Sequence, residues 1–234
     1  MKAEKPRTFV LVHGAWHGPW CWERVSEHLT ARGHEVICPS LPCDTAEAGQ
    51  DEYLAVLDDA LRDRSDVVLV AHSMSGMVAP LATGNPAVGS LVLLAALVRR
   101  PGTALLDDGF APLGEPLQKA LAGAVVNESG CVVLDPADAT DVLYHDCTPA
   151  DAADAVSRLR RSANTVGAQT CPDLPQRRVP TTYVSCREDR AVVGTWNGAL
   201  ARELFGAEIR EIEGGHSPFW SVPERLAALL VELA

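Results

Sequence analysis

A chain of 234 residues that is 47% hydrophobic, with no long polar tract, can bury a full core as one domain, and nothing in it marks two independent ones. Its 20 Lys plus Arg against 31 Asp plus Glu give a net charge of -11, which repels a phosphate backbone and excludes nucleic acid as an expected partner. The charged opening, Met1 to Arg7, runs into an apolar stretch too short for a signal h-region or a membrane span.

The expectation is therefore a cytoplasmic protein with no membrane partner. Seven cysteines, an odd number without metal-ligand spacing, read as reduced thiols. The pairs Arg99-Arg100, Arg160-Arg161 and Arg177-Arg178 are short and separated, and they read as solvated surface.

Short β-branched runs alternate with helical periodicity along most of the chain, the pattern of a parallel sheet covered on both faces. The first strand is expected over residues 8–13 and ends in His13-Gly14-Ala15-Trp16-His17-Gly18. Glycine there lets the chain turn away, so the Ala15 N–H can face a reacting carbonyl oxygen. A helix should start at Pro19, bury Trp22, Val25 and Leu29, and end at Gly33. A second strand over 35–38 and a helix over 51–62, with Leu54, Leu57 and Leu61 in register, follow.

The third strand, over 67–71, leads into Ala71-His72-Ser73-Met74-Ser75-Gly76 and a helical-looking segment. A strand, a sharp turn and a helix with serine at the tip is the arrangement of a nucleophile elbow, which needs small residues two before and two after the nucleophile. Ala71 and Ser75 meet that need for Ser73. In the frame of the rival Ser75 the flanking residues are Ser73 and Met77, and methionine would crowd the turn. Ser73 is thus the expected nucleophile, and the Met74 N–H the second donor to an oxyanion.

After a fourth strand, over 90–95, the alternation stops for about 80 residues. Residues 97–179 are read as an inserted cap of short helices, for example over 116–126 and 149–162, seated on a core made of 1–96 and 180–234. Leu105, Leu106, Phe110, Leu113, Phe219 and Trp220 are candidates for an apolar pocket or for ordinary core.

The fifth strand, over 181–186, opens into Arg187-Glu188-Asp189-Arg190, where Asp189 is the expected acid; Glu188 or a surface ion pair of Asp189 with Arg187 or Arg190 are the alternatives. A helix capped by Thr195 should carry Trp196, Leu200 and Leu204 and stop at Gly206. The sixth strand, over 208–212, precedes Gly214-Gly215-His216-Ser217, and the last helix should begin with a capping box of Ser221 and Glu224 and bury Leu226, Leu229, Leu230 and Leu233.

Seven histidines compete to be the base. His216 leads, because its loop lies at the same sheet edge as Ser73 if every strand is parallel. His28 and His34 read as surface or packing, His13 and His72 as braces of their turns, and His17 as a brace or a pocket residue. His145, in Tyr144-His145-Asp146-Cys147, stays as an alternative that a cap would hold less firmly at hydrogen-bond distance. The chain order Ser73, Asp189, His216 is the order of this kind of triad on a doubly wound sheet.

These motifs together resemble the α/β-hydrolase branch that contains plant methyl-ester esterases, hydroxynitrile lyases and bacterial EstC-type esterases. The resemblance covers nearly the whole chain and is weakest over the cap; Ala71 stands where the elbow usually has glycine. It implies an α/β-hydrolase fold with about six parallel strands flanked by helices and a small helical cap inserted after the fourth strand. It also implies hydrolysis of a small-molecule ester through an acyl-enzyme, without metal or organic cofactor. Gly14, His17, Phe110, Tyr144, Ser217 and Phe219 are the expected substrate-binding residues, and a monomer and a homodimer fit equally.

In the resembling hydroxynitrile lyases a threonine follows the first-strand histidine and a lysine follows the catalytic one; here those places hold Gly14 and Ser217, which favours ester hydrolysis. A lyase or cyclase using the same residues, and a ligand-binding protein with a vestigial triad, are the competing readings.

Overall fold

The first strand, β1 (Thr8–Val12), is almost entirely buried, as a central parallel strand must be when both sheet faces are covered. The computed structural model that shows this describes residues 5–107 and 109–234, so Met1 to Glu4 of the charged opening and Asp108 of the expected cap lie outside the described residues.

A 3₁₀ turn over Pro19–Trp22 leads into α1 (Glu23–Thr30), which buries Val25 and Leu29, and Gly33 ends it with φ of 86°. Then come β2 (Glu35–Ile37), α2 (Gln50–Leu61), β3 (Val67–His72) and β4 (Val88–Leu94). On α2 the buried face is Tyr53, Leu57 and Leu61, while Leu54 is only half-buried. The fifth and sixth strands of the main sheet are β7 (Thr181–Cys186) and β8 (Glu208–Ile212), with α7 (Gly194–Phe205) between them and α8 (Pro218–Ser221) and α9 (Pro223–Glu232) after them.

Between β4 and β7 lie α3 (Glu115–Gly123), a small antiparallel hairpin of β5 (Val125–Val126) and β6 (Val132–Val133), α4 (Pro136–Leu143), α5 (Pro149–Ser157) and α6 (Thr165–Ala168). The main sheet runs β2-β1-β3-β4-β7-β8, and every neighbouring pair in it is parallel. All six expected strands are therefore present, with bounds shifted by at most two residues. β3 is buried along its whole length, whereas the edge strand β8 carries the charged residues Glu208, Arg210 and Glu211, which blunt an open edge. The carboxyl ends of β1, β3, β7 and β8 all meet one edge of the sheet, where such folds place their chemistry.

Several local expectations are corrected. The segment after the elbow is a 3₁₀ helix over Ser73–Met77 followed by a second one over Leu81–Gly84, not an α-helix. Pro80 has no N–H to give to the Gly76 carbonyl, so the α-helical ladder cannot continue through it. The last helix lacks the Ser221 and Glu224 box: its N-cap is Val222, and Ser221 closes the preceding turn. Pro223 drives Val222 out of the helical region (φ of -136°) and so splits the two helices.

Helix α7 begins at Gly194, packed so closely on β7 that a Cβ there would lie 2.9 Å from Ser185 Cβ, and Thr195 falls inside the first turn without capping it. Gly206 does stop α7, in the left-handed region. Of the expected cap helices, the first ends at Gly123 because the chain turns into the hairpin, the second ends at Ser157, and α4 and α6 add to them.

Arg99 is not solvated surface. It is 4% exposed and donates to the carbonyls of Val166, Gln169 and Met77 and to Gln50 Oε1. Arg100 is half-buried at the surface, where it pairs with Glu203.

Candidate active site

Ser73 closes β3 with φ of 53°, in the left-handed region that a non-glycine residue enters only when the surroundings impose it. The imposition is visible in the packing. A Cβ on Gly14 would lie 2.8 Å from Ser73 Cβ and 2.9 Å from His72 Nδ1, and a Cβ on Gly76 would lie 2.6 Å from Ala96 Cβ. Ser75, the rival nucleophile, turns its hydroxyl to the carbonyls of His72 (2.8 Å) and Val12 (3.2 Å) and so pins the elbow to β1.

His216 Nε2 lies 3.0 Å from Ser73 Oγ, and its Nδ1 lies 3.0 Å from each oxygen of the Asp189 carboxylate. A carboxylate accepts only, so Nδ1 carries the proton and Nε2 presents a lone pair to the serine hydroxyl. Asp189 and His216 are themselves held. Asp189 Oδ1 accepts from the backbone N–H groups of Ala191 (2.8 Å) and Val192 (2.9 Å), and both side chains are almost fully buried. His72 Nε2 lies 2.9 Å from the His216 carbonyl and donates to it; burial pushes the His72 imidazole well below its ordinary pKa and keeps it neutral.

The surface alternatives for Asp189 are otherwise engaged: Arg187 pairs with Glu211 and Glu213, Arg190 with Asp141, and Glu188 is exposed.

The turn after β1 is fixed by two more histidines. The Leu41 N–H donates to His13 Nε2 (3.0 Å), which leaves the Nδ1 proton for the Gly14 carbonyl (2.9 Å). In a trans peptide the N–H points opposite the C=O, so anchoring the Gly14 carbonyl aims the Ala15 N–H the other way. His17 Nδ1 holds the Ala15 carbonyl (2.7 Å), and its Nε2 receives the Tyr144 hydroxyl (2.7 Å). Burial, the dominant cause in both cases, lowers the pKa of His13 to about 4 and that of His17 to about 3, so both rings stay neutral and keep the lone pairs that these bonds need.

Ser73, Ala15 and Met74 line one cavity of about 270 Å³. Its walls are apolar and come mostly from the segment between β4 and β7, through Leu97, Leu105, Leu106, Phe110, Leu113 and Leu117, with Met77 and Val192 from the core. Ser162 and Asn164 add the few polar groups.

Of the expected substrate-binding residues only Phe110 is in this wall; Gly14 does not line the cavity and instead lets the turn after β1 pack against Ser73 and His72 by lacking a Cβ. His17, Tyr144, Ser217 and Phe219 are not among the lining residues; each is fully or almost fully buried, in a layer where His17 packs edge-on to Phe219 and His72. Trp220 is likewise buried and packs on Trp20 under Arg24.

The imidazole at Ser73 Oγ is that of His216, while His145 presses on Gly215, where a Cβ would lie 2.7 Å from its Cε1. Among the lining residues that sequence reasoning missed, Trp16, Met77, Val132, Ser162, Asn164 and Val192 sit on five separate stretches of chain, and of these only Trp16, next to Ala15, and Met77, beside the elbow, carried a local signal. Among the described residues no three His, Cys, Asp or Glu side chains gather in a way that could hold a metal ion, and no helix is long and apolar enough to cross a membrane.

A family model described as the alpha/beta hydrolase family matches residues 9–229. Methylesterase 4 of Arabidopsis thaliana is 29% identical over 267 aligned positions, which cover 100% of this chain and 98% of that protein. Salicylic acid-binding protein 2 of Nicotiana tabacum is 28% identical, covering 97% of this chain and 96% of its own. Among solved structures, a variant of tomato methylketone synthase I complexed with β-ketoheptanoate superposes with a TM-score of 0.81 at 21% identity, covering 98% of both chains, and shows the shared fold.

Proposed function

The chain belongs to the α/β hydrolase family, and on that premise we propose that it is a carboxylic ester hydrolase in which Ser73 is the nucleophile, His216 the general base and Asp189 the acid that orients it. The observation that carries this reading is the unbroken line from Asp189 through His216 to Ser73 Oγ, with 3.0 Å at each link, opening onto an apolar cavity.

In the proposed reaction His216 Nε2 takes the Ser73 proton as Oγ attacks the ester carbonyl. The N–H groups of Ala15 and Met74 receive the developing oxyanion, each such donor contributing about 2.7–4 kcal/mol to the transition state. His216 then gives its proton to the departing alkoxide, leaving an acyl group on Ser73. Water, deprotonated by the same nitrogen, returns the acid and the free serine.

The substrate inferred is a small, largely apolar ester, because leucine and phenylalanine side chains from residues 97–179 form most of the wall over Ser73. In that role this segment is a cap on a core of 1–96 and 180–234. The relatives' names support ester chemistry: the Arabidopsis protein is a methylesterase. The seven cysteines are free thiols, which fits a reducing compartment such as the cytoplasm.

The test is a panel of p-nitrophenyl and methyl esters of graded acyl size, with mandelonitrile as the cyanohydrin control. Turnover with a burst of released alcohol, lost in Ser73→Ala, is expected. Mandelonitrile cleavage at or above the best ester rate would refute the reading in favour of a lyase. Gly14 works against that outcome, since any side chain there meets Ser73 and His72 at under 3.0 Å.

A further inference from the structure

Three consecutive residues between α4 and α5, Tyr144, His145 and Asp146, touch both halves of the catalytic apparatus without lining the cavity. Tyr144 is fully buried, and its hydroxyl donates to His17 Nε2 at 2.7 Å. His17 in turn holds the Ala15 carbonyl at 2.7 Å, so the phenol reaches the proposed oxyanion turn through one neutral ring. Asp146 works on the other side. Its Oδ2 accepts from the Gly215 N–H at 2.7 Å, one residue before His216.

The double glycine before His216 reads as a flexible loop from sequence alone, but its surroundings give it another purpose. A Cβ on Gly214 would lie 2.9 Å from Asp146 Oδ2, and one on Gly215 would lie 2.7 Å from Asp146 Oδ1 and 2.7 Å from His145 Cε1. Gly214 also takes φ of 104°, a conformation that favours glycine. The loop is thus cut back so that a carboxylate and an imidazole from a distant segment can lie directly on its backbone.

This arrangement is costly. Asp146 Oδ1 and His145 Nδ1 are buried with no hydrogen-bond partner, and a buried carboxylate oxygen without one sacrifices hydration that ordinary surface packing would keep.

We propose that Tyr144, His145 and Asp146 form a two-armed positioning clamp, in which Tyr144 sets the oxyanion turn through His17 and Asp146 sets the His216 loop through Gly215. Neither arm touches substrate. The segment between β4 and β7 therefore does more than wall the cavity: it fixes the distance between the nucleophile's base and the oxyanion donors. The proposal rests on the hydrolase reading for its kinetic consequence but not for its structural one.

The test compares the full-length wild type with Tyr144→Phe, Asp146→Ala and Asp146→Asn. A fluorophosphonate probe reports the reactivity of Ser73 and needs no known substrate, the best ester of the panel reports kcat and KM separately, and amide hydrogen exchange reports the peptides spanning 13–17 and 213–217.

Misplacement of about 1 Å in a catalytic constellation can cost around 100-fold in rate, so the expected result is a fall of roughly 10- to 100-fold in labelling rate and kcat for Tyr144→Phe and Asp146→Ala. KM should stay within about twofold, and exchange should rise only in the turn that each arm holds. Asp146→Asn, whose amide oxygen can still accept from the Gly215 N–H, should recover most of the rate.

A rise in KM with kcat unchanged would make Tyr144 a substrate-binding residue and overturn the clamp, as would unaltered exchange in both peptides. Failure of the wild type to label would defeat the hydrolase reading alone, because the exchange measurement still decides whether the two arms hold their turns.

Discussion

Replacing Asp189 by asparagine isolates what the carboxylate does for His216, because the structure dictates how the amide must lie. Oδ1 receives two backbone N–H groups, from Ala191 at 2.8 Å and Val192 at 2.9 Å. An asparagine at this position keeps both bonds only if its oxygen occupies the Oδ1 place, which puts the NH₂ in the Oδ2 place, 3.0 Å from His216 Nδ1. The Nδ1 proton can still reach the oxygen in the Oδ1 place, also 3.0 Å away, but it now lies against an N–H donor as well, a repulsion that the imidazole escapes by moving its proton to Nε2. That tautomer points a proton at Ser73 Oγ and cannot take one from it.

The reverse amide orientation restores an acceptor to His216 but leaves the two backbone donors facing an NH₂ group, at about 1–3 kcal/mol each. The productive arrangement is therefore disfavoured by about 2–6 kcal/mol, and at 1.36 kcal/mol per decade the rate should fall by roughly 30-fold to 10⁴-fold. Loss of the negative charge beside the imidazolium that forms in the transition state pushes the result toward the upper end, near the roughly 10⁴-fold seen for the same change in a serine protease.

The assay is kcat on the best p-nitrophenyl ester, with circular dichroism and thermal unfolding to show that the loop anchored by Ala191 and Val192 survives. A fall of less than about tenfold would refute the reasoning and move the acid's role to Glu188 or to the cap.

Ser75→Ala should leave fluorophosphonate labelling of Ser73 intact, because the Ser75 hydroxyl is committed to the carbonyls of His72 and Val12, while Ser73→Ala abolishes it; labelling that survives in Ser73→Ala reverses the assignment. Gly14→Thr should lower ester turnover by at least about 100-fold and cost about 1–3 kcal/mol of stability, since the new Cβ must displace the buried Ser73 or His72; turnover within about threefold of wild type would show that the elbow tolerates the displacement.

Arg99→Met should cost about 3–5 kcal/mol in urea unfolding, because it strips donors from the three carbonyls and the Gln50 amide oxygen; a loss under about 1 kcal/mol would return Arg99 to the surface class. Acid should begin to destabilise the fold below about pH 6.5. His13 and His17 have native pKa values of about 4 and about 3, below the value of 6.5 that they regain on unfolding. The unfolded chain then binds more protons below that pH, and stability should drop by about 1.4 kcal/mol per pH unit for each ring as pH falls from 6.5 toward 4. A flat urea midpoint between pH 7 and pH 5 would contradict the neutral rings.

The sheet was legible because parallel strands buried on both faces leave a continuous apolar signal, and Val67 to Ala71 is such a run. Ser73, Asp189 and His216 were legible for a related reason. Each follows a strand end on one edge of the sheet, and the sheet itself brings three distant positions to within hydrogen-bond distance. Helix starts were less legible, because a cap depends on which residue enters the helix: at Gly194 and Pro223 tertiary packing and proline geometry overrode the local pattern of Thr195 and Ser221. Arg99 was misplaced for the opposite reason. Nothing local announces that four oxygen acceptors from distant segments will converge on one guanidinium.

What the sequence hid most completely is the coupling between the segment over the cavity and the machinery beneath it. Tyr144 meets His17 across 127 residues and Asp146 meets Gly215 across 69, and neither contact leaves a periodicity or a spacing to read. Yet each end of the coupling shows up locally as an oddity: two adjacent glycines before the expected base, and a Tyr-His-Asp run in a stretch otherwise short of signal. Read separately, the first is flexibility and the second is a rival base. Placed against each other they have one explanation, since the glycines are the space into which the run fits. A loop that carries a general base needs rigidity, and a double glycine supplies none of its own. The rigidity has to come from whatever fills the missing side chains, and here that is the carboxylate of Asp146 and the ring of His145.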